Sequence, residues 1–232
     1  MNSFLDKLGL YDFFSLIVGG MVFLLGIHFM GLVDLQDYIL LFEFEGWGIS
    51  TVAILLISYL LGGCINQVAD KFFVSRYYHH LKTTILSKTD SIVGNTVKID
   101  IHRKRACDIL KEKGISIKEK DLNTEHSALY FNYCSYYIQA KGQHDKMEKL
   151  RGIMRLQANL ATCFALLIVC DLYVMITTCA APDEPALHGL IFSAVFLVTS
   201  YRSYRTAAKS WARIVVNAFD VCYDLENHIT KS

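Results

Sequence analysis

Apolar residues in this chain gather into four long runs, at 13–33, 46–64, 157–178 and 186–201, with polar segments between them. A helix needs about 20 consecutive apolar residues to cross the hydrocarbon core of a bilayer. The first three runs reach that length. The fourth reaches it with its amphipathic flanks, where Tyr201, Tyr204 and Trp211 offer interfacial anchors. Beyond residue 64, Ile65, Val68, Phe72, Tyr77, Leu81 and Ile85 recur near every third or fourth place, so the second run continues as helix. A turn is expected at 91–95 around Gly94, then a short helix from Ile101 stopped by Gly114. An aromatic helix follows, capped by Asn123 or Thr124 and broken at Gly142. A last polar helix begins near His144 and runs directly into the third run.

The most regular pattern follows the fourth run. Tyr201, Tyr204, Ala208, Trp211, Val215, Ala218, Cys222, Leu225 and Ile229 alternate steps of three and four, while Arg205, Lys209, Arg213, Asp220, Asp224 and Glu226 lie off that line. This is a heptad seam. It admits two packings: Trp211, Val215, Cys222 and Leu225 bundle with the same helix of other subunits, or the seam lies on the chain's own polar helices.

The pattern predicts an all-α membrane protein with four transmembrane helices. Its parts are an N-terminal segment at 1–12, spans one and two within 13–64, a cytoplasmic helical domain at 65–156, spans three and four within 157–201, and a heptad-patterned cytoplasmic tail helix at 202–232. In the first part, Phe4, Leu5, Leu8 and Tyr11 suit either a helix lying on the inner leaflet or an extension of the first span. Composition agrees with the class: of 232 residues, 53% are hydrophobic and two are proline, and the mean hydropathy is +0.32.

Charge orients the spans, because lysine and arginine resist translocation. The connection at 34–45 holds Asp34, Asp37, Glu43 and Glu45, that at 179–185 holds Asp183 and Glu184, and neither has a basic residue. Residues 64–156 hold 17 Lys plus Arg against 10 Asp plus Glu, and 202–232 hold five against three. With Lys7 these are all 23 basic residues, so both termini and the middle segment are expected in the cytoplasm. The first run is expected to be retained, since the stretch before it is not basic and no small-x-small cleavage site follows Val33. The seven cysteines are scattered, only Cys179 is expected on the outer side, and no disulfide framework or CxxC site is implied.

No Gly-rich phosphate loop, HExxH, GxSxG or ribonuclease-type pattern is present, so no enzyme, cofactor or metal site is expected. The strongest polar signal is Asp171, within the apolar stretch CFALLIVCDLYVMITTC. A carboxylate at mid-span costs at least ~2.5 kcal/mol unless it is paired, protonated or facing water. His28 lies at similar depth in the first run and His188 near the outer end of the fourth. Three arrangements are open: a buried Asp171–His28 packing pair or a snorkelling carboxylate, a polar pore lining shared by all three residues, or a proton-coupled site. Gly19, Gly20, Gly26, Gly62 and Gly63 allow close helix approach or a hinge. In the cytoplasmic segment, His102, Arg103, Lys104 and Arg105 precede an aromatic run that includes Tyr133 and Tyr137. Basic residues beside stacking rings hold single-stranded nucleic acid without sequence preference. The same residues also suit a solvated positive-inside surface over an aromatic core.

The stretches LGLYDFFSLIVGGMVFL, YFNYCSYY and LRGIMRLQANLATCFALL, with a glycine pair ending the second span, resemble small four-span membrane effectors of bacterial anti-phage defence systems. The nearest resemblance is to the channel subunits HalB of Hailong systems, and a more distant one is to the membrane subunits KwaA of Kiwa systems. The resemblance implies a multi-pass protein of the bacterial inner membrane, a homo-oligomer with a tetramer favoured, that depolarises an infected cell. It implies a DNA-oligomer or nucleotide ligand at the cytoplasmic mouth and a cytoplasmic partner such as a nucleotidyltransferase or a DNA-binding effector. The expected function is therefore an ion channel gated from the cytoplasm by an anionic ligand. The alternative is a non-conducting membrane anchor and sensor that recruits a soluble nucleic-acid-binding effector.

Overall fold

The computed structural model describes residues 10–33, 47–87, 92, 96–142, 145–178 and 184–229; Cys179 and the acidic connection at 34–45 lie outside them. Among the described residues there is no strand. The helices are α1 (Leu10–Phe29), α2 (Trp47–Ala69), α3 (Ser75–Thr84), α4 (Thr96–Glu112), α5 (Thr124–Ala140), α6 (Asp145–Thr178) and α7 (Glu184–Ile229). The chain forms two compact units. Unit one takes residues 1–74 and 152–205, and unit two takes residues 75–151 and 206–232. Hydropathy divides the chain at 64/65, 156/157 and 201/202, whereas packing divides it at 74/75, 151/152 and 205/206. The two differ because each division falls where helix continues without a turn, leaving only side-chain contacts to set it.

Among the described residues, two helical stretches, Thr51–Thr84 and Met147–Thr177, are long and apolar enough to cross a membrane. Phe13–Phe29 is apolar but shorter. Its end is set by Gly31, whose φ of 68° puts it in the left-handed region. The Gly31 N–H donates to the His28 carbonyl at 2.9 Å and the Leu32 N–H to that of Ile27 at 3.0 Å, closing the last turn. The hydropathy run continues to Val33 because Leu32 and Val33 are apolar, although neither is helical.

In unit one, α1 and α2 touch backbone to backbone. A Cβ added at Gly20 would overlap the Ser58 carbonyl, and one at Gly62 would overlap that of Leu16. Ser58 and Gly62 are spaced four apart on one face of α2, the small-residue spacing that lets membrane helices approach closely. On α6, Cys163, Phe164 and Leu167 are buried, with Val22, Phe23 and Ile27 of α1, Met30 just after it and Leu197 of α7 packed around them. Between α2 and α3 the residues Asp70–Val74 form a π-helical turn. Its trace in the sequence is the single step of five, from Phe72 to Tyr77, in a periodicity otherwise of three and four.

Unit two is built on aromatic packing. Tyr130, Phe131, Trp211, Val215, Val216 and Phe219 are buried, as are Leu81, Ile85, Ile99 and Ile109. The Phe219 ring meets Tyr130, Tyr133 and Tyr137 edge-on at centroid distances of 6.0, 5.8 and 5.2 Å. Helix α4 starts at Thr96 rather than Ile101, because Ile99, His102, Ala106 and Ile109 form one buried stripe that begins before the basic cluster. Gly114, at φ 82°, ends α4, and Asn123 caps α5 by accepting from the His126 N–H at 3.0 Å. The seam divides: Trp211 and Val215 are spent inside this unit, Cys222 is half-buried, and Leu225 is 58% exposed.

Gly62→Ala is expected to destabilise the protein in detergent by roughly 1–3 kcal/mol, because the methyl must push two backbones apart. Gly63→Ala, whose Cβ would meet nothing within 4 Å, is expected to leave the unfolding temperature unchanged or raise it. Thermal unfolding followed by circular dichroism distinguishes the two, and equal effects would refute the close contact.

Candidate functional site

Unit one contains an open-sided cavity of about 610 Å³ lined by residues of α1 and the turn after it, α6 and α7. Its walls are apolar, with Phe29 from α1 and Met30 just after it, Phe164 and Met175 from α6, and Phe192 and Phe196 from α7. Asp171 and Ser193 supply its side-chain oxygens. The helical repeat explains the lining. Phe164, Leu167, Asp171 and Val174 follow steps of three and four, with Met175 four after Asp171, and so share one face of α6; on α7, Phe192 and Ser193 lie three and four after Gly189, and Phe196 four after Phe192.

Asp171 is 7% exposed, and its Oδ2 is buried without a hydrogen-bond partner among the described residues. Of the arrangements open to Asp171, a pair with His28 does not form within the chain. His28 closes the end of its own helix instead, with Nδ1 3.1 Å from the Val33 carbonyl, and it does not line the cavity. His188 is exposed on α7 and is also absent from the lining. Of the three intramembrane polar residues read from the sequence, the structure therefore brings only Asp171 to the cavity. Gly189 faces it: a Cβ there would have Asp171 Oδ2 as its nearest neighbour, at 4.0 Å. Elsewhere in the unit Asn159 Nδ2 donates to the Ser15 carbonyl at 3.5 Å, while Asn159 Oδ1 and Ser58 Oγ are likewise buried without a hydrogen-bond partner among the described residues.

In unit two the basic cluster is dispersed by the helical repeat. His102 is 1% exposed, with Nδ1 3.0 Å from the Tyr130 hydroxyl and Nε2 3.2 Å from Asp220 Oδ2. A neutral imidazole fits both contacts when Nε2–H donates to the carboxylate and Tyr130 O–H donates to Nδ1. Burial, with the nearby positive charges of Arg105 and Lys98, lowers the His102 pKa to about 4. Burial pushes the Tyr130 phenol well above its usual range, which keeps it a donor. Burial also raises Asp220, and Arg105 opposes that shift. Arg105 donates to Asp220 Oδ1 and, at 2.6 Å, to Asp224 Oδ1, with its guanidinium 5.0 Å from the Tyr223 ring centroid. Arg103 donates to the backbone carbonyls of Leu86, at 2.9 Å, and Glu119. Lys104 is exposed.

The four residues therefore do not form one anion-binding face: one is core, two are tied to named acceptors and one is on the surface. Tyr133 and Tyr137 pack against Phe219, with Lys113 and Lys141 over their outer faces at 5.3 and 5.6 Å. Asp220 and Asp224 were not singled out from the sequence as partners. Arg105 and Asp220 lie 115 residues apart, beyond any local spacing rule. Among the described residues no group of three His, Cys, Asp or Glu is placed to hold a metal ion.

No protein-family model, curated protein or solved structure matches this chain.

Two outcomes follow from these geometries. Removing an uncompensated buried charge should stabilise, so Asp171→Asn is expected to raise the unfolding temperature in detergent, by the equivalent of roughly 1–3 kcal/mol. A lower temperature would mean that the carboxylate holds the fold together. For His102, the unfolded chain takes up a proton near pH 6.5 and the folded chain only near 4, so stability falls as pH drops through that window. The gap between thermal melts at pH 7 and pH 5 should be larger in the wild type than in His102→Gln. Equal gaps would assign the acid sensitivity to other groups.

Proposed function

We propose that this chain is a four-span protein of the bacterial inner membrane that assembles as a homo-oligomer and conducts cations past Asp171. Its observed support is the 7% exposed Asp171, whose Oδ2 has no hydrogen-bond partner among the described residues, on an apolar cavity. An intramembrane carboxylate is costly, and a wet cation pathway is the setting in which that cost is offset. At about 610 Å³ the cavity has room for roughly 20 waters at their liquid volume, enough to keep a passing ion hydrated. The charge asymmetry of the sequence puts unit two and both termini in the cytoplasm. In this reading an anionic ligand such as a DNA oligomer or nucleotide binds there and shifts a closed-to-open equilibrium, and opening depolarises the cell. The resemblance to anti-phage channel subunits supports that role. Any such ligand would be held by exposed lysines, including Lys104, Lys111 and Lys113, because Arg103 and Arg105 have internal acceptors.

A second reading, a non-conducting anchor and sensor, is favoured by one observation. The last turns of α7 expose Val221 and Leu225 at 61% and 58%, an apolar strip on a polar helix that would suit a soluble effector.

Planar-bilayer recording from the purified full chain separates the two readings. The expected result is a cation-selective conductance that Asp171→Asn reduces about 10-fold or more. Cytoplasmic-side oligonucleotide should modulate it in the wild type and fail to do so in Lys104→Glu/Lys111→Glu, a substitution that leaves the Arg105–Asp220 contact intact. Silence from folded wild-type protein would overturn conduction and favour the anchor.

A further inference from the structure

We propose that the Asp171 cavity is a binding site for lipophilic organic cations, molecules that join an ammonium, phosphonium or similarly delocalised positive centre to an apolar body. The proposal rests on what the cavity offers and stands whether or not the protein conducts.

Size comes first. Cavities that bury small organic ligands run from about 300 to 1,000 Å³, and this one is about 610 Å³. Chemistry then narrows the class. One buried carboxylate, its Oδ2 without a hydrogen-bond partner among the described residues, faces walls that are apolar apart from Ser193. An anion would be repelled, and a neutral apolar molecule would leave Asp171 as costly as before. A bare inorganic cation fares no better: Ca²⁺ takes 6–8 oxygen ligands, and the side chains lining the cavity present those of Asp171 and Ser193 alone. An organic cation carries little hydration to lose and brings its own apolar surface to the walls.

The rings supply a second and independent attraction. Phe192 and Phe196 lie with centroids 4.3 Å apart, and Phe164 lies 5.3 Å from Phe196 and 6.5 Å from Phe192. This trio lines the same space as the carboxylate. Aromatic faces attract a cation within about 6 Å of their centroids, more strongly where water is excluded. Gly189 leaves the approach to Asp171 open. At Gly26, on the α1 wall, the corresponding room is taken, because a Cβ there would meet Leu167 at 2.5 Å.

The test is equilibrium binding of radiolabelled tetraphenylphosphonium to the detergent-solubilised full chain. Triphenylphosphine oxide, which has similar aryl surface and no net charge, serves as the comparator. No current is read, so failure of conduction and failure of binding are separate results. The expected result is saturable phosphonium binding to the wild type, weakened at least ~10-fold by Asp171→Asn and retained by Asp171→Glu. Phe192→Ala is expected to weaken it several-fold, and Gly189→Leu to abolish it by filling the space before the carboxylate. The phosphine oxide should bind weakly and equally to wild type and Asp171→Asn. Size exclusion and helix content establish that each variant is folded. Phosphonium binding that does not saturate in the wild type, or that is unchanged in folded Asp171→Asn and Gly189→Leu, would overturn the proposal.

Discussion

The close contact between α1 and α2 sets the geometry of unit one. With no Cβ at Gly20 or Gly62, each helix rests on a carbonyl of the other, at Ser58 and Leu16. A contact made by backbone fixes axial position and rotation more tightly than one made by flexible side chains. With α1 held on that side, its other face presents Val22, Leu25 and Phe29 to the cavity, and Gly26 is closed down on Leu167. The cavity is therefore a consequence of rigid helices meeting over an aromatic trio.

Unit two is organised differently, around one carboxylate. Asp220 receives the guanidinium of Arg105 on one oxygen and the imidazole of His102 on the other, and His102 in turn meets Tyr130. Three helices contribute to that chain of contacts, and every member has a defined donor or acceptor role. A buried polar network satisfied in this way rigidifies the core it crosses, whereas one left incomplete would weaken it. Much of the positive charge that makes this segment look ready for an anion is thus used to hold it together. What remains outward-facing is scattered charge, including Lys104, Lys111, Lys113, Arg76 and Arg151.

Sequence patterning makes the helices legible and the tertiary partners obscure. Gly114 and Asn123 can be read as helix stop and cap because those signals are local, and the regular seam of α7 shows which residues face a partner. It does not show that Trp211 and Val215 find that partner within their own chain. Gly31 hides behind apolar Leu32 and Val33, and the π-helical turn at Asp70–Val74 hides within a periodicity that tolerates one extra residue. Asp171 stands out because a charge in an apolar run is anomalous wherever it lies. Its surroundings do not stand out, since a cavity assembled from three helices distant in sequence leaves no spacing to detect. His28 and His102 show the converse case. Both are conspicuous by residue type, and both are taken up by nearby structure, one at a helix end and one in a core.

The interleaving of the two units has a consequence for how the protein is made. Residues 75–151 of unit two are synthesised before α7, and they carry the aromatic helix with Tyr130, Phe131 and Tyr137. Trp211, Val215, Phe219 and Asp220, which cover those rings and neutralise Arg105, come from the last helix, after the remainder of unit one has been translated. Until then the emerging chain carries bare aromatic surface and an unpaired guanidinium, and it completes these contacts only by closing long loops, of 115 and 119 residues for Arg105 with Asp220 and Asp224. The segment is thereby exposed, until α7 emerges, to chaperones or to a sister chain offering an α7 of its own.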